Sequence, residues 1–369
     1  MTAPKATERS PLIDSQAEAT RGPLGDNRPL GVVAKPDGRD LNGLILIDKP
    51  QGPTSHDVAL RVRRLGRFIS AGHTGTLDPL ATGLIALLVG KSTRLAPFLA
   101  AADKTYLATI HLGLVTKTLD VTGEAVGPQY QGPYPSRVEV EKALTNLTGT
   151  MAQMPPAFSA IKVNGQTAHK AARAGKEIDL KPREVTAHAL ELIDYDPPFA
   201  TLRAEVSKGY YVRSLARDLG LALNLIGGAL AKLRRLSVGS FTLKEAGPIP
   251  ETFLELKNRL ISPREAVNHL PELFPSANEL IALTRGQTIP WPATGLASEP
   301  WGGPASGATS GAAKAAGVHK IISPDGQLAA LGEIFEKTPG LEPSARSPEG
   351  PFLRPLRVFA KAQEAKTNL

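Results

Sequence analysis

The chain has 369 residues and carries 43 Lys and Arg against 35 Asp and Glu, so its formal net charge at pH 7 is +8, which favours a polyanionic partner. It contains no Cys, which excludes disulfides and thiolate metal sites, and its seven His form no His-Glu-x-x-His motif, so we expect no bound metal. The chain has no apolar run of membrane-spanning length and no signal-peptide core at its start, which predicts a cytoplasmic protein without a membrane partner.

The N-terminal part of the chain divides into an arm and the start of a folded region. Residues 1–38 are rich in Pro, Gly and Ala without periodicity, which predicts a disordered arm. The short apolar run at 44–47 predicts the first strand. Residues 48–55 contain two Pro, a Gly and a Ser, and they predict a turn after this strand.

A helix is expected directly after that turn. Thr54 and Asp57 have the spacing of a capping box, which marks a helix start. The apolar residues of the helix fall on one face, namely Val58, Val62 and Leu65. Its basic residues lie elsewhere on the surface and form either a solvated face or a contact with phosphate: Arg61, Arg63, Arg64 and Arg67.

The segment 72–84, Gly-His-Thr-Gly-Thr-Leu-Asp-Pro-Leu-Ala-Thr-Gly-Leu, is the most informative in the chain. It places one carboxylate, Asp78, in a Gly-rich turn between apolar segments. Its glycines permit backbone conformations that a Cβ would forbid and let a ligand approach closely. An Asp followed by Pro is also a common helix start, with Asp as N-cap and Pro at N1. Three glycines and a histidine around Asp78 favour a functional turn instead.

Further elements are predicted downstream of this turn. Apolar runs and alternation predict strands at 84–89, 106–112 and 202–206. Ser92 is predicted to cap a helix that runs to about residue 101. Apolar residues at helical spacing predict a second helix that begins at Val212 and stops at Gly220.

This order of elements predicts the domain organisation. Strands alternate irregularly with helices over 39–272, which predicts an α+β domain. Residues 276–361 contain short apolar runs and turns, and they predict a small β-rich domain. The tract 302–317 is rich in Gly, Ala and Ser and predicts a flexible insertion in that domain.

The stretch GHTGTLDPLATGLIALLVGKSTRL resembles the catalytic signature of the TruB family of tRNA pseudouridine synthases. The resemblance implies that Asp78 is the catalytic residue and that the reaction needs no cofactor. It also implies a catalytic domain with a mixed, mostly antiparallel sheet flanked by helices. The terminal segment 352–359 resembles the end of the RNA-binding PUA domain appended in this family, so the β-rich domain is expected to be PUA-like.

The same resemblance assigns roles to five residues of the substrate pocket. Tyr106 matches the aromatic residue that stacks on the target base, and Arg213 matches the arginine that pairs with the catalytic Asp. Tyr211 matches a tyrosine of the uracil pocket, and His73 matches a histidine on the substrate side of the cleft. Leu233 matches a position at which the backbone faces the uracil edge.

Supporting positions also match the family. Lys49 and Pro50 belong to an early Lys-Pro-x-Gly motif that supports the active-site loop, and Asp120 belongs to a Thr-x-Asp-x-x-Gly loop. The stretch 154–185 resembles an RNA-clamping thumb, in which His169 stands where the family usually has Tyr. The resemblance covers about residues 41–361.

Three functions follow from these observations. The first is isomerisation of uridine to pseudouridine at position 55 in the T-loop of tRNA, by base flipping and an Asp78-dependent mechanism. The second is a tRNA chaperone, for which catalysis is secondary. The third is a pseudouridine synthase that depends on a guide RNA. The expected partner is the T-arm of tRNA, and nothing in the sequence indicates an obligate protein partner.

Overall fold

The computed structural model describes residues 37–159, 161–163, 166–168, 179–291, 317–336 and 351–360. Several predictions therefore fall wholly or mostly outside the described residues, namely those for the arm 1–38, the insertion 302–317 and His169. The predicted thumb at 154–185 lies only partly within them.

The described chain contains helices of four to twelve residues. They are α1 (Ser55–Gly66), α2 (Ala96–Ala100), α3 (Arg137–Asn146), α4 (Val212–Ala222), α5 (Phe253–Asn258), α6 (Pro263–Ala266) and α7 (Ala277–Thr284). Two short 3-10 helices cover Gly90–Leu95 and Leu243–Glu245. None of these helices is long and apolar enough to cross a membrane. The predicted capping box is confirmed, because the Thr54 side chain accepts a hydrogen bond from the Asp57 amide at the start of α1.

The strands form one large sheet, one small sheet and a hairpin. The strands are β1 (Gly43–Lys49), β2 (Ala71–His73), β3 (Thr82–Val89), β4 (Lys104–Leu112), β5 (Gly149–Gln153), β6 (Lys162–Val163), β7 (Gln166–Thr167), β8 (Arg183–Asp196), β9 (Phe199–Val206), β10 (Gly228–Val238), β11 (Phe241–Thr242), β12 (Glu272–Leu273), β13 (Ile289–Pro290), β14 (Gly317–Ile322), β15 (Leu328–Glu336) and β16 (Pro351–Val358). The strands predicted at 44–47, 84–89, 106–112 and 202–206 are confirmed as β1, β3, β4 and β9.

The large sheet has nine strands in the order β1-β3-β10-β4-β9-β8-β5, with β2 beside β3 and β11 beside β10. Every pair in it is antiparallel except β3 with β10, which run parallel. The mixed, mostly antiparallel α+β fold expected from the sequence is confirmed. The parallel pair matters for function because it joins the end of the Asp78 turn to β10.

Strand β3 is buried on both faces, which explains its continuous apolar sequence. Its odd-numbered residues pack with the apolar face of α1, where Val58 and Val62 are fully buried. Its even-numbered residues pack in a second cluster that also contains Ile322 and Leu331 of the small sheet. Burial on two faces holds the strand that follows the Asp78 turn rigidly in place.

Helix α4 packs its apolar face on the other half of the large sheet. Leu215 and Leu219 are buried in one cluster with Ile110 of β4. The prediction that this helix stops at Gly220 is wrong, because the helix continues to Ala222. A Cβ on Gly220 would lie 2.0 Å from the carbonyl of Gly227, so this glycine allows close packing rather than ending the helix.

The prediction that Ser92 caps a helix is also wrong. Ser92 lies inside the 3-10 helix that begins at Gly90, directly after β3, and α2 begins only at Ala96. Its hydroxyl is buried and has no hydrogen-bond partner among the described residues. The physical reason is the left-handed backbone of Gly90, with φ of 61°, which turns the chain into the helical segment before Ser92 is reached.

The C-terminal region forms a five-stranded sheet in the order β12-β14-β15-β16-β13. This agrees with the predicted β-rich character of 276–361, although β12 begins at Glu272, at the end of the range predicted for the first domain. Residues of this sheet form their own cluster with α7, including Leu280 and Leu353. The domain boundary and the PUA-like identity of the sheet stay predictions.

Candidate active site

Asp78 lies in a turn between β2 and β3, and it does not begin a helix. Its carbonyl accepts a hydrogen bond from the amide of Ala81 at 3.0 Å, which closes the turn around Pro79. Gly83, the second residue of β3, follows the turn with a φ of 98°, a conformation that favours glycine. The side chain of Asp78 is 39 % exposed, so the turn presents a carboxylate that a ligand can reach.

The loop after β1 and the first residue of α1 form hydrogen bonds with the backbone of this turn. The Ser55 hydroxyl accepts from the amide of Leu77 at 2.8 Å and donates to the carbonyl of the same residue at 3.2 Å. The amide of Gly52 donates to the carbonyl of Pro79 at 2.9 Å. Hydrogen bonds thus hold the backbone of both neighbours of Asp78, Leu77 and Pro79. The bond from Gly52 is of the kind expected if the early Lys-Pro-x-Gly motif supports this loop.

Lys49 is fully buried at the end of β1. Its ammonium group donates to the carbonyls of Pro50 and Pro53, each at 2.9 Å, and so shapes the loop. Burial lowers the pKa of Lys49, while the Asp78 carboxylate acts in the opposite direction. Lys49 therefore lies near enough to the turn to contribute positive potential at Asp78.

Arg213, on the first turn of α4, pairs directly with Asp78. Its Nε lies 3.0 Å from Asp78 Oδ2, and the arginine side chain is only 9 % exposed. The other two nitrogens donate to the carbonyls of Thr118 at 2.9 Å and Phe158 at 2.8 Å. The two carbonyls fix the orientation of the guanidinium, which holds the Asp78 carboxylate through an ion pair.

Asp120 builds the loop that receives this arginine. Its Oδ1 accepts hydrogen bonds from the Thr118 hydroxyl at 2.9 Å and the Thr122 amide at 3.0 Å. Its Oδ2 lies 4.0 Å from Arg213 Nη1. Asp120 therefore orders the carbonyl of Thr118 that Arg213 uses and adds a second negative charge beside the guanidinium.

Tyr211 immediately precedes α4 and is fixed through its backbone. The side-chain amide of Gln153, at the end of β5, accepts from the Tyr211 amide at 2.8 Å and donates to its carbonyl at 3.2 Å. Burial raises the pKa of the Tyr211 hydroxyl, which also forms a hydrogen bond with Ser159. The Asp78 and Arg213 charges both act on Tyr211, so the three side chains are neighbours.

Tyr106 and Leu233 belong to the apolar core next to the site. Both are buried in one cluster with Leu77, the residue before Asp78, and with Val212, the residue before Arg213. They come from adjacent strands, because β4 pairs with β10 over this region. The structure thus places Tyr106 and Leu233 in the apolar core that also contains the residues preceding Asp78 and Arg213.

His73 ends β2 on the approach to the turn. Its Nδ1 is buried and has no hydrogen-bond partner among the described residues. Burial lowers the pKa of His73, and the positive charges of Arg235 and His56 lower it further. These influences favour the neutral imidazole at pH 7.

Three buried polar residues of the site were not singled out from the sequence. Ser55 and Gln153 each hold the backbone of a site residue, and Arg235 donates from β10 to backbone carbonyls of the Asp78 segment. In the sequence, Ser55 stood out only as part of the turn at 48–55, and Arg235 lies two residues after Leu233, the position that was singled out. Gln153 had no local pattern, because its partner is distant in the chain.

The arrangement provides one partly exposed carboxylate that is paired with a nearly buried guanidinium and lies close to Tyr211. Arg213 Nε lies 3.0 Å from Asp78 Oδ2, and no hydrogen bond between the described residues ends on Asp78 Oδ1. One carboxylate oxygen is therefore available to a reacting carbon. In the described ranges, no group of three or more His, Asp or Glu side chains could hold a metal ion.

Comparisons with known proteins show which family the chain belongs to. Residues 63–212 match the model for the N-terminal domain of TruB family pseudouridylate synthases. The tRNA pseudouridine synthase B of Synechococcus sp. (strain WH7803) is 38% identical over 310 residues, which cover 82% of this chain and 96% of the relative. The protein of the same name from Arthrobacter sp. (strain FB24) is 37% identical over 333 residues, covering 88% and 98%.

A solved structure shows the same fold at lower identity. A chain in an H/ACA ribonucleoprotein bound to a substrate RNA containing 2′-deoxyuridine has a TM-score of 0.59 and 22% identity, over 87% of this chain and 86% of that one. This likeness shows the fold alone. The identity to the bacterial relatives, over nearly their whole length, confirms the resemblance seen in the motifs: the chain belongs to the TruB family of pseudouridine synthases and is an isomerase.

Proposed function

We propose that this chain converts the uridine at position 55 in the T-loop of tRNA to pseudouridine, with Asp78 as the catalytic carboxylate. The printed names of the relatives support tRNA as the substrate. The observation that carries the assignment of Asp78 is its pair with Arg213: a partly exposed carboxylate held by a nearly buried guanidinium. The net charge of +8 suits a polyanionic substrate.

The reaction is an isomerisation whose atoms balance without a cofactor. The C1′–N1 bond breaks, the base turns within the pocket, and a C1′–C5 bond forms. The hydrogen on C5 leaves as a proton, and N1 gains one. We propose that Asp78 Oδ1 acts at C1′ or C6, while the ion pair with Arg213 orients the carboxylate.

Access to the target base requires that it leave the stack. Flipping a nucleotide costs a few kcal/mol, which contacts to the flipped base and the phosphates must offset. Tyr106 is the proposed stacking partner, and its residue is 8 % exposed. Because most of its surface is covered, stacking on its face requires neighbouring groups to move as the base enters. Tyr211, His73 and Leu233 are proposed to line the rest of the base pocket.

The test is tritium release from C5-labelled uridine in an unmodified tRNA transcript. The wild type should release one equivalent per tRNA, and Asp78→Asn should release none while it binds tRNA with nearly unchanged affinity. Asp196→Asn is the matched control, because Asp196 is an exposed carboxylate at the end of β8. Substantial turnover by Asp78→Asn would contradict the assignment.

The same preparation separates the two other candidate functions. A tRNA chaperone would retain its effect on tRNA folding in Asp78→Asn, whereas loss of that effect would exclude a separate folding role. A guide-dependent enzyme would release no tritium from bare tRNA unless a guide RNA is added. Release from an isolated T-arm stem-loop would support the T-arm as the recognised element. The cytoplasm is the proposed site of action, since the substrate is tRNA.

A further inference from the structure

Arg235, on β10, is a buried cation that none of the proposed catalytic steps uses. Its residue is 1 % exposed. Its Nε donates to the carbonyl of Leu84 at 2.6 Å, and its Nη2 donates to the carbonyl of Gly75 at 3.2 Å. No carboxylate among the described residues forms an ion pair with it. Because burying a charge costs free energy of desolvation, we expect the buried guanidinium of Arg235 to have a role that offsets this cost.

The two carbonyls that Arg235 binds lie on either side of Asp78. Gly75 precedes Asp78 in the turn, and Leu84 follows it at the start of the buried part of β3. One guanidinium therefore connects both ends of the segment that carries the catalytic carboxylate. This is a different contact from that of Arg213, which binds the carboxylate itself.

The backbone of Arg235 adds a second contact to the same segment. In the parallel pair of β3 and β10, Arg235 is the register partner of Gly83. A Cβ on Gly83 would lie 2.4 Å from the carbonyl oxygen of Arg235, so only glycine allows this approach. In the antiparallel pair on its other side, the register partner of Arg235 is Tyr106. Arg235 thus sits between the catalytic turn and the proposed stacking residue.

The charge of Arg235 also acts on the groups around the turn. It contributes to the lowered pKa of Lys49 and of His73, although burial is the larger cause in both. Burial, again with Arg235, lowers the pKa of Lys104 to about 8. These effects on three separate residues agree with a position of Arg235 close to each of them.

We propose that Arg235 is a positioning residue that clamps both ends of the Asp78 turn and so fixes the carboxylate against the substrate. The proposal rests on the assignment of Asp78 as the catalytic carboxylate. A lysine could keep the charge but has no planar fork that reaches two carbonyls in fixed geometry. A small misplacement of a reacting group can slow an enzyme by up to about 100-fold, so the clamp should affect rate more than binding.

The first test is Arg235→Lys, measured in two independent ways. Hydrogen exchange of the free protein should become faster in a peptide covering residues 75–84 and stay unchanged in a peptide covering α3. Single-turnover tritium release at saturating enzyme should slow by about 10- to 100-fold, with tRNA affinity changed less than threefold. Arg259→Lys is the control, because Arg259 also donates to two carbonyls, those of Pro248 and Leu46, away from the turn.

A second variant, Arg235→Gln, keeps the test valid if Arg235→Lys does not fold. Its shorter, uncharged amide cannot donate to the carbonyls of Gly75 and Leu84 at the same time, so exchange over residues 75–84 should become faster and release should slow. Unchanged exchange over 75–84 in both variants would overturn the clamp, whatever the rate. If the wild type itself releases no tritium, the proposed function fails, while the exchange data still decide whether Arg235 holds the turn.

Discussion

A single hydroxyl, that of Ser55, holds both backbone groups of Leu77, the residue that precedes Asp78. It accepts from the Leu77 amide at 2.8 Å and donates to the Leu77 carbonyl at 3.2 Å. Both residues are buried, so water does not compete for these groups. The first turn of α1 is thereby tied to the Asp78 turn, and the helix start becomes part of the site's support.

We expect Ser55→Ala to loosen this connection. The buried amide of Leu77 would lose its acceptor, at a cost of about 1–3 kcal/mol in the free energy of unfolding. The rate of tritium release should fall by more than the loss of folded protein accounts for, because the backbone beside Asp78 becomes more mobile. Urea denaturation and single-turnover release measure the two effects. Ser240→Ala is the control, since Ser240 is an exposed residue whose hydroxyl bonds only to Asn268. A normal rate in a destabilised Ser55→Ala protein would contradict the coupling.

Arg213→Lys tests whether the geometry of the guanidinium matters beyond its charge. A lysine can pair with Asp78 but cannot also bind the carbonyls of Thr118 and Phe158 in the planar arrangement seen here. We expect the rate of isomerisation to fall by about 100-fold or more, a size comparable to loss of one preorganised donor at an active site. Binding of tRNA should change little. Arg217→Lys, one helical turn further along α4, should retain most of the activity.

Local patterns allowed much of the fold to be predicted. The capping box at Thr54, the two-sided burial of β3 and the alternation in β4 are each visible within a few residues. The turn at Asp78 was predictable for the same reason, because glycines and Pro79 stand within the segment itself. Ser92 was misassigned because a capping residue is recognised only relative to the true helix start, which lies earlier, at Gly90.

The contacts that assemble the site were not predictable from local patterns. Arg213 meets Asp78, Gln153 meets Tyr211 and Arg235 meets Gly75 across distances in sequence that only the sheet order brings together. Resemblance to the TruB family supplied the pairing of Arg213 with Asp78. It supplied nothing for Gln153 or Ser55, whose roles are hydrogen bonds to backbone groups and leave no residue pattern.

The arginines of α1 offer a test of electrostatic RNA binding. Arg61, Arg63, Arg64 and Arg67 are all exposed, and none forms an ion pair with the described acidic residues. We expect the double change Arg61→Gln and Arg64→Gln to weaken tRNA binding and to lower the slope of log affinity against log salt by roughly 1.5, since each neutralised phosphate contributes about 0.7–0.9. Arg137→Gln is the control, because Arg137 already pairs with Glu141. An unchanged slope would identify a solvated face without phosphate contact.

Glu272 should make the small sheet sensitive to acid. Its carboxylate accepts from Arg264 at 2.7 Å and from the buried Lys320 at 2.9 Å, and the hydrogen bond from Arg264 is the main cause that lowers its pKa to about 2. A carboxyl group whose pKa is lower in the folded state than in the unfolded state stabilises the folded state at pH values above its ordinary pKa, which is 4.5 for Glu272. That contribution is lost as the pH falls from 4.5 towards 2.

We therefore expect Glu272→Gln to lower the free energy of unfolding at pH 7 by roughly 3 kcal/mol, because the buried ammonium of Lys320 loses its partner. The difference in the free energy of unfolding between Glu272→Gln and the wild type should shrink as the pH falls below 4.5, because the wild-type carboxylate then stabilises the folded state less. Urea denaturation between pH 7 and pH 3 measures both. Glu333→Gln is the control, because Glu333 pairs with Arg354 in solvent and such pairs contribute about 0–1 kcal/mol. A difference that is constant over this pH range would contradict the ionised carboxylate as the source of the stabilisation.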